Sequence, residues 1–210
     1  MAHDRATLDF YAKEASAYAA GSDESGPSKQ LAAFVARLPH GTTVLDLGCG
    51  TGRDTQALIE AGLKVTALDG SSEMAREAEK RIGQPVRVQL FEDLDDVEAF
   101  NGIWANASLL HVPREGLPNV LRRVYRALKP AGVLYASFKA GGREGRDTLG
   151  RYYNYLDPGE VRAAVEATGA WRTIVLNEGR GKGYDGTETG WTEVFAEKSP
   201  DGAPTAAELE

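Results

Sequence analysis

Three glycines set the first chemical constraint: Gly48, Gly50 and Gly52 follow Asp46 within the run VLDLGCGTGRD, from Val44 to Asp54. A strand that ends in an acid, then glycines, then a helix turns the backbone where a Cβ would block approach, so a ligand comes close to that backbone. The spacing GxGxG is one residue tighter than the GxGxxG of dinucleotide binders. A carboxylate at Asp46 repels a pyrophosphate but suits the cationic end of an amino acid. Asp69 closes the next apolar run, 21 residues after Gly48, where an acidic side chain accepts hydrogen bonds from ribose hydroxyls. Cys49 sits inside the loop with no histidine close in sequence to activate it, so its thiol reads as packing there rather than as a nucleophile.

A second group of residues follows the later apolar runs. His111 comes shortly after the run GIWANA (102 to 107), on the edge where a doubly wound sheet binds ligands. It is either a general base or an orienting group for an acceptor, or it only bonds the turn before Pro113. Asn106, Ala107 and Ser108 share that edge. The segment from Lys139 to Leu156 is rich in Gly, Arg and Tyr. There Arg143, Arg146 and Arg151 can fork onto an anion while Tyr152 and Tyr153 wall the pocket, the alternative being a solvated loop balanced by Glu144 and Asp147. Tyr11 and Tyr18 are seven apart and share one face of a first helix, which either covers the site or packs on the core. Trp104 reads as core.

The elements that must position these groups are short β-branched or apolar runs, TVLDL, KVTALD, PVRVQL, GIWANA and GVLYASF, alternating with helical stretches. Such alternation marks βαβ units and a parallel sheet. Gly62 stops one helix and Ser71 caps the next. Leu117, Val120, Leu121, Val124 and Leu128 recur at helical spacing before Pro130, and Asp157 with Glu160 forms a capping box. WRTIVLN and WTEVFAEK have no helix between them and predict an antiparallel hairpin with a long Gly-rich connection, GRGKGYDGTETG. Residues 7–20 and 28–38 read as helices.

At this point the chain resembles the class I S-adenosylmethionine-dependent methyltransferases, whose first motif is acid-x-GxGxG and whose second strand ends in an acid. The resemblance covers residues 40–140 and implies a Rossmann-like, doubly wound α/β sheet of seven strands, mostly parallel with the last antiparallel, and helices on both faces. It implies S-adenosylmethionine as cofactor and S-adenosylhomocysteine as product. Asp46, Gly48, Gly50 and Gly52, with Cys49, are then expected at the methionine portion, Asp69 and Gly70 at the ribose, and Asn106 and Ala107 at the amino group. The chain departs from the family after the third strand, where Leu90 replaces the usual acid, leaving Phe91, Glu92 and Asp93 to meet the adenine.

Length and composition fit this expectation. With 210 residues and 42% hydrophobic content the chain builds one domain, divided as a helical cap (1–40), a methyltransferase domain (41–198) and a disordered tail (199–210). A single cysteine and three scattered histidines give no disulfide framework and no metal site. A net charge of −7 disfavours nucleic acid, and the edge after the fourth strand reads NASLLH where a base methyltransferase would show something like NPPY. No run reaches signal-peptide or membrane-span length, so a soluble, cytoplasmic enzyme acting on a small molecule is expected. The rival readings are a regulatory module that only binds the cofactor and, disfavoured by Asp46, a nicotinamide-dependent oxidoreductase.

Overall fold

The apolar runs become strands ordered β3-β2-β1-β4-β5-β9-β8 in one seven-stranded sheet, according to a computed structural model that describes residues 3–21, 26–184 and 186–200. β1 (Thr43–Leu47), β2 (Lys64–Asp69), β3 (Arg87–Val88), β4 (Phe100–Ala105) and β5 (Leu128–Ala140) pair in parallel. β9 (Glu188–Lys198) lies antiparallel between β5 and β8 (Trp171–Lys182), so the expected sheet and its reversed last strand are both present. The chain order reverses between β1 and β4, which opens a crevice at the strands' carboxyl ends.

Helix boundaries follow local chemistry. α1 is Arg5–Gly21 and α2 Lys29–Val35, the latter capped by Ser28. α3 (Arg53–Glu60) ends just before Gly62, whose φ is 82°. Ser71 accepts from Met74 N to open α4 (Ser72–Ile82). α5 (Leu117–Ala127) buries its predicted stripe, and α6 (Pro158–Glu166) opens on the Asp157–Glu160 capping box. Among the described residues, no helix is long and apolar enough to cross a membrane.

Three expectations change in detail. The run PVRVQL contributes only two paired residues to β3, an edge strand. The Gly-rich connection is mostly absorbed into the hairpin, since Gly179 pairs with Trp191 and Gly181 with Thr189. β6 (Gly145–Arg146) and β7 (Tyr152–Tyr153) form a separate small ribbon within the loop after β5. Of the expected tail, residues 201–210 lie outside the described residues.

Strand alternation splits the core. Leu134, Ala136 and Phe138 of β5 face α5 and α6, whereas Val133 and Tyr135 face α2 and α3 with Leu31, Phe34 and Leu58. Trp104 is fully buried on the second face, stacked on Tyr135 at 4.1 Å between ring centroids and tilted against Phe34 at 5.3 Å. Trp104→Ala should therefore cost about 3–5 kcal/mol of stability, read as a lower urea midpoint at unchanged slope. A loss below about 1 kcal/mol would contradict this packing.

Candidate functional site

The loop after β1 holds Gly48, Gly50 and Gly52 at φ of 81°, 55° and 78°, the left-handed region that favours glycine. A Cβ on Gly48 would lie 2.5 Å from Ser108 Cβ, so this glycine lets the loop touch the end of β4. A Cβ on Gly50 would meet nothing within 4 Å and would project into open space. Gly52 instead sits 3.1 Å from Ala78 by the same measure, which makes it a packing glycine between α3 and α4 rather than a ligand contact.

Asp69 fixes this loop. Its two oxygens accept from Gly50 N and Ser71 N, each at 2.8 Å, and burial lifts its carboxyl to about 6 against these bonds. Asp46 is buried, accepts from Thr55 Oγ1 at 2.6 Å, and is raised to about 8 by burial and by the nearby charge of Asp54. Asp54 takes bonds from Trp104 Nε1 and Asn106 Nδ2 at 2.9 and 3.1 Å and pairs with Arg53. Three acidic side chains thus converge beside a glycine cradle in a desolvated place, where burial and the neighbouring acids keep a proton on Asp46.

These groups line a cavity of about 1390 Å³ in the crevice. Cys49, Gly70, Phe91, Asn106 and Ala107 also line it. Asn106 donates to Asp54 and accepts from Ser137, and Ser137 in turn accepts from Ala107 N, so its amide orients the edge. Burial pushes the Cys49 thiol up, out of the reactive range. Glu92 bonds His3 Nδ1 at 3.1 Å, Asp93 is exposed, and neither lines the cavity. The adenine contacts expected from them are corrected: the short turn Phe91–Asp93 carries Phe91 inward and the two acids outward.

His111 lines the cavity with both ring nitrogens engaged. Nδ1 lies 2.7 Å from the Tyr152 carbonyl, which only accepts, so the proton is on Nδ1; Nε2 then accepts from Tyr11 Oη at 2.9 Å. Burial, with Arg151 and Lys139 nearby, lowers the imidazole to about 4 and leaves it neutral. Arg151 is buried, forks onto Asp147 at 3.0 and 2.7 Å, and donates to Tyr11 Oη at 3.2 Å.

Tyr11, Tyr18, Arg151 and Tyr153 line the cavity, but Arg143, Arg146 and Tyr152 do not. Tyr152 and Tyr153 are successive on β7 and so point to opposite sides; Tyr152 Oη meets Glu144 and Arg114 N instead. Arg146 pairs with Asp4 at 2.6 Å across the foot of α1, and Arg143 is exposed. Sequence reasoning missed Asp54, Lys139, Tyr184 and Glu193, all of them cavity-lining. The alternation of β5, which turns Tyr135, Ser137 and Lys139 to one face, was the available signal for Lys139.

Residues 44–132 match the family model described as a methyltransferase domain. A ubiquinone biosynthesis O-methyltransferase of Xanthomonas axonopodis pv. citri (strain 306) is 34% identical over 131 residues, 55% of this chain and 54% of that protein. A cypemycin N-terminal methyltransferase of a Streptomyces species is 34% identical over 151 residues, 64% of this chain and 62% of that protein. The chain spans little more than half the length of such relatives. Among solved structures, the Burkholderia thailandensis 1,6-didemethyltoxoflavin-N1-methyltransferase, with 1,6-didemethyltoxoflavin and S-adenosylhomocysteine bound, is 26% identical. It superposes at a TM-score of 0.71, covering 91% of this chain and 86% of its own. Its strand order and glycine loop agree with these matches, and the chain is similar, in sequence over residues 44–132 and in fold over most of its length, to S-adenosylmethionine-dependent methyltransferases.

Proposed function

We propose that this chain transfers a methyl group from S-adenosylmethionine to a small-molecule acceptor held beside His111 and Tyr153. The observation that carries the reading is the cavity: about 1390 Å³, one end a glycine cradle with three carboxylates, the other walled by tyrosines. Single-ligand pockets run to about 300–1000 Å³, so this volume accommodates two ligands side by side. The residues fit the cofactor. The open space at Gly50 would be filled by any Cβ, and the acids suit a ligand with an ammonium and a sulfonium. When bound, S-adenosylmethionine supplies an electrophilic methyl group.

The chain's own residues supply position and dryness. Asp69 holds the loop and offers its remaining lone pairs to a ribose, and Asp46 faces the ammonium. Phe91 packs at the adenine side, and the Asn106 and Ala107 backbone borders the amino-acid end. α1 covers the crevice, since Thr7 Oγ1 accepts from Tyr152 N at 2.8 Å and Tyr11 joins His111 to Arg151. The solved relative bound to 1,6-didemethyltoxoflavin supports a small acceptor at such an edge.

Calorimetric titration with S-adenosylhomocysteine, followed by an acceptor screen that detects its release from S-adenosylmethionine, tests the proposal. Tight binding and turnover with a small molecule are expected. Binding of a nicotinamide cofactor in its place would replace this reading with a dehydrogenase.

A further inference from the structure

The end of the cavity away from the glycine loop is walled by rings. Tyr11 and Tyr18 reach it from α1, Tyr153 from β7, Tyr184 from the turn of the β8–β9 hairpin and Trp191 from β9. Tyr18 and Tyr184 stack on each other, 4.5 Å between centroids and 15° apart in plane, so helix and hairpin meet at the cavity through two flat surfaces. Segments far apart in the chain thus deliver aromatic side chains to one place.

The charges at this end are already answered within the protein. Arg151 is 1% exposed, forks onto Asp147, and carries its guanidinium between 5.1 and 5.8 Å from the ring centroids of Phe10, Tyr11, Tyr153 and Tyr184. Lys139 is 5% exposed and holds its ammonium 4.1 Å from the Tyr153 centroid. His111 has both ring nitrogens engaged. The rings that would draw a cationic acceptor therefore hold two cations of their own, and like charge repels a third. An anion gains little, because both of these cations are covered, while Arg180 and Lys182 at the hairpin rim are exposed where water screens them. What this end offers a ligand is flat ring surface, which favours stacked or edge-on contact with another ring.

Resting on the methyltransferase reading, we propose that the acceptor is an uncharged, planar aromatic molecule of fused-ring size, seated against the Tyr18–Tyr184 pair. Tyr184, at the far end of the chain from the glycine loop, is then a specificity residue. Flatness and neutrality, rather than a charged group, decide what the enzyme accepts.

Four probes of similar size separate the possibilities: 2-naphthol is neutral and flat, 2-decalol neutral and puckered, 2-naphthoate an anion and 2-naphthylmethylammonium a cation. Each is titrated calorimetrically near neutral pH against protein saturated with S-adenosylhomocysteine. 2-Naphthol should bind at least about tenfold more tightly than each of the others. Tyr184→Ala should weaken 2-naphthol about tenfold, and Tyr184→Phe should retain it. Tyr184 is 43% exposed, and unchanged S-adenosylhomocysteine affinity shows that its variants are folded. Binding of 2-decalol or of either ion as tight as that of 2-naphthol, no binding of 2-naphthol by the loaded protein, or a 2-naphthol affinity that survives Tyr184→Ala would overturn the proposal. Failure of S-adenosylhomocysteine itself to bind the parent chain would bring down the methyltransferase reading, and this inference with it.

Discussion

Asp69→Ala should weaken S-adenosylhomocysteine binding by about 100-fold or more, from losing two hydrogen bonds between a carboxylate and ribose hydroxyls. The direct loss is compounded by the loop, because Asp69 also holds Gly50 N and Ser71 N, both at 2.8 Å. Without the carboxylate those two donors lose their acceptor and the glycine cradle is free to collapse into the space it keeps open. Calorimetry measures the effect, with Asp95→Asn, exposed and outside the cavity, as the reference expected to bind like the parent chain. An Asp69→Ala variant that binds as tightly as the reference would remove Asp69 from the ribose site.

The second large effect is proton release on binding. Burial and the nearby charge of Asp54 hold the Asp46 carboxyl up at about 8, against 3.8 for a free side chain, so between these values the fold holds a proton that the unfolded chain gives up. Its contribution to stability is therefore greatest at low pH and declines as pH rises towards 8. His111 has the opposite sign. Lowered from 6.5 to about 4, it contributes fully above 6.5, and that contribution is lost as pH falls towards 4. An ammonium placed beside Asp46 restores its carboxylate, so binding at pH 7 should expel close to one proton. Affinity for S-adenosylhomocysteine should climb up to about tenfold per pH unit between about 6 and 8. Calorimetry in buffers of different ionisation heat counts the proton, and Asp46→Asn should abolish both the release and the slope. Binding of the parent chain without proton release would mean that Asp46 does not meet the ammonium.

The glycine-loop end of the cavity was legible from sequence because it is written in local signals. Asp46, the glycines and Asp69 sit at strand tips, and strand tips follow from apolar runs that sequence displays. Even there, Gly52 was assigned to the ligand when it faces Ala78, because sequence does not tell which neighbour a Cβ would strike. The opposite end resisted. Arg143, Arg146 and Tyr152 were read as pocket residues from composition, whereas their directions depend on the β6–β7 pairing, a register no local pattern specified. Glu92 and Asp93 failed for a similar reason, since one short turn decides which of three consecutive side chains faces inward. Trp104 was rightly assigned to the core, yet its indole N–H reaches Asp54 and so ties the hydrophobic face to the site.

The ribbon that carries Tyr152 and Tyr153 has an evolutionary consequence. Only one of these neighbours faces the cavity, so a single-residue insertion or deletion between β6 and β7 would exchange them and turn every side chain of β7 about. Such a change would redraw that wall of the cavity in one step while leaving the strand tips around the glycine loop untouched. Diversification of substrate choice in relatives of this chain should accordingly concentrate in the length of that loop, more than in substitutions along the strands.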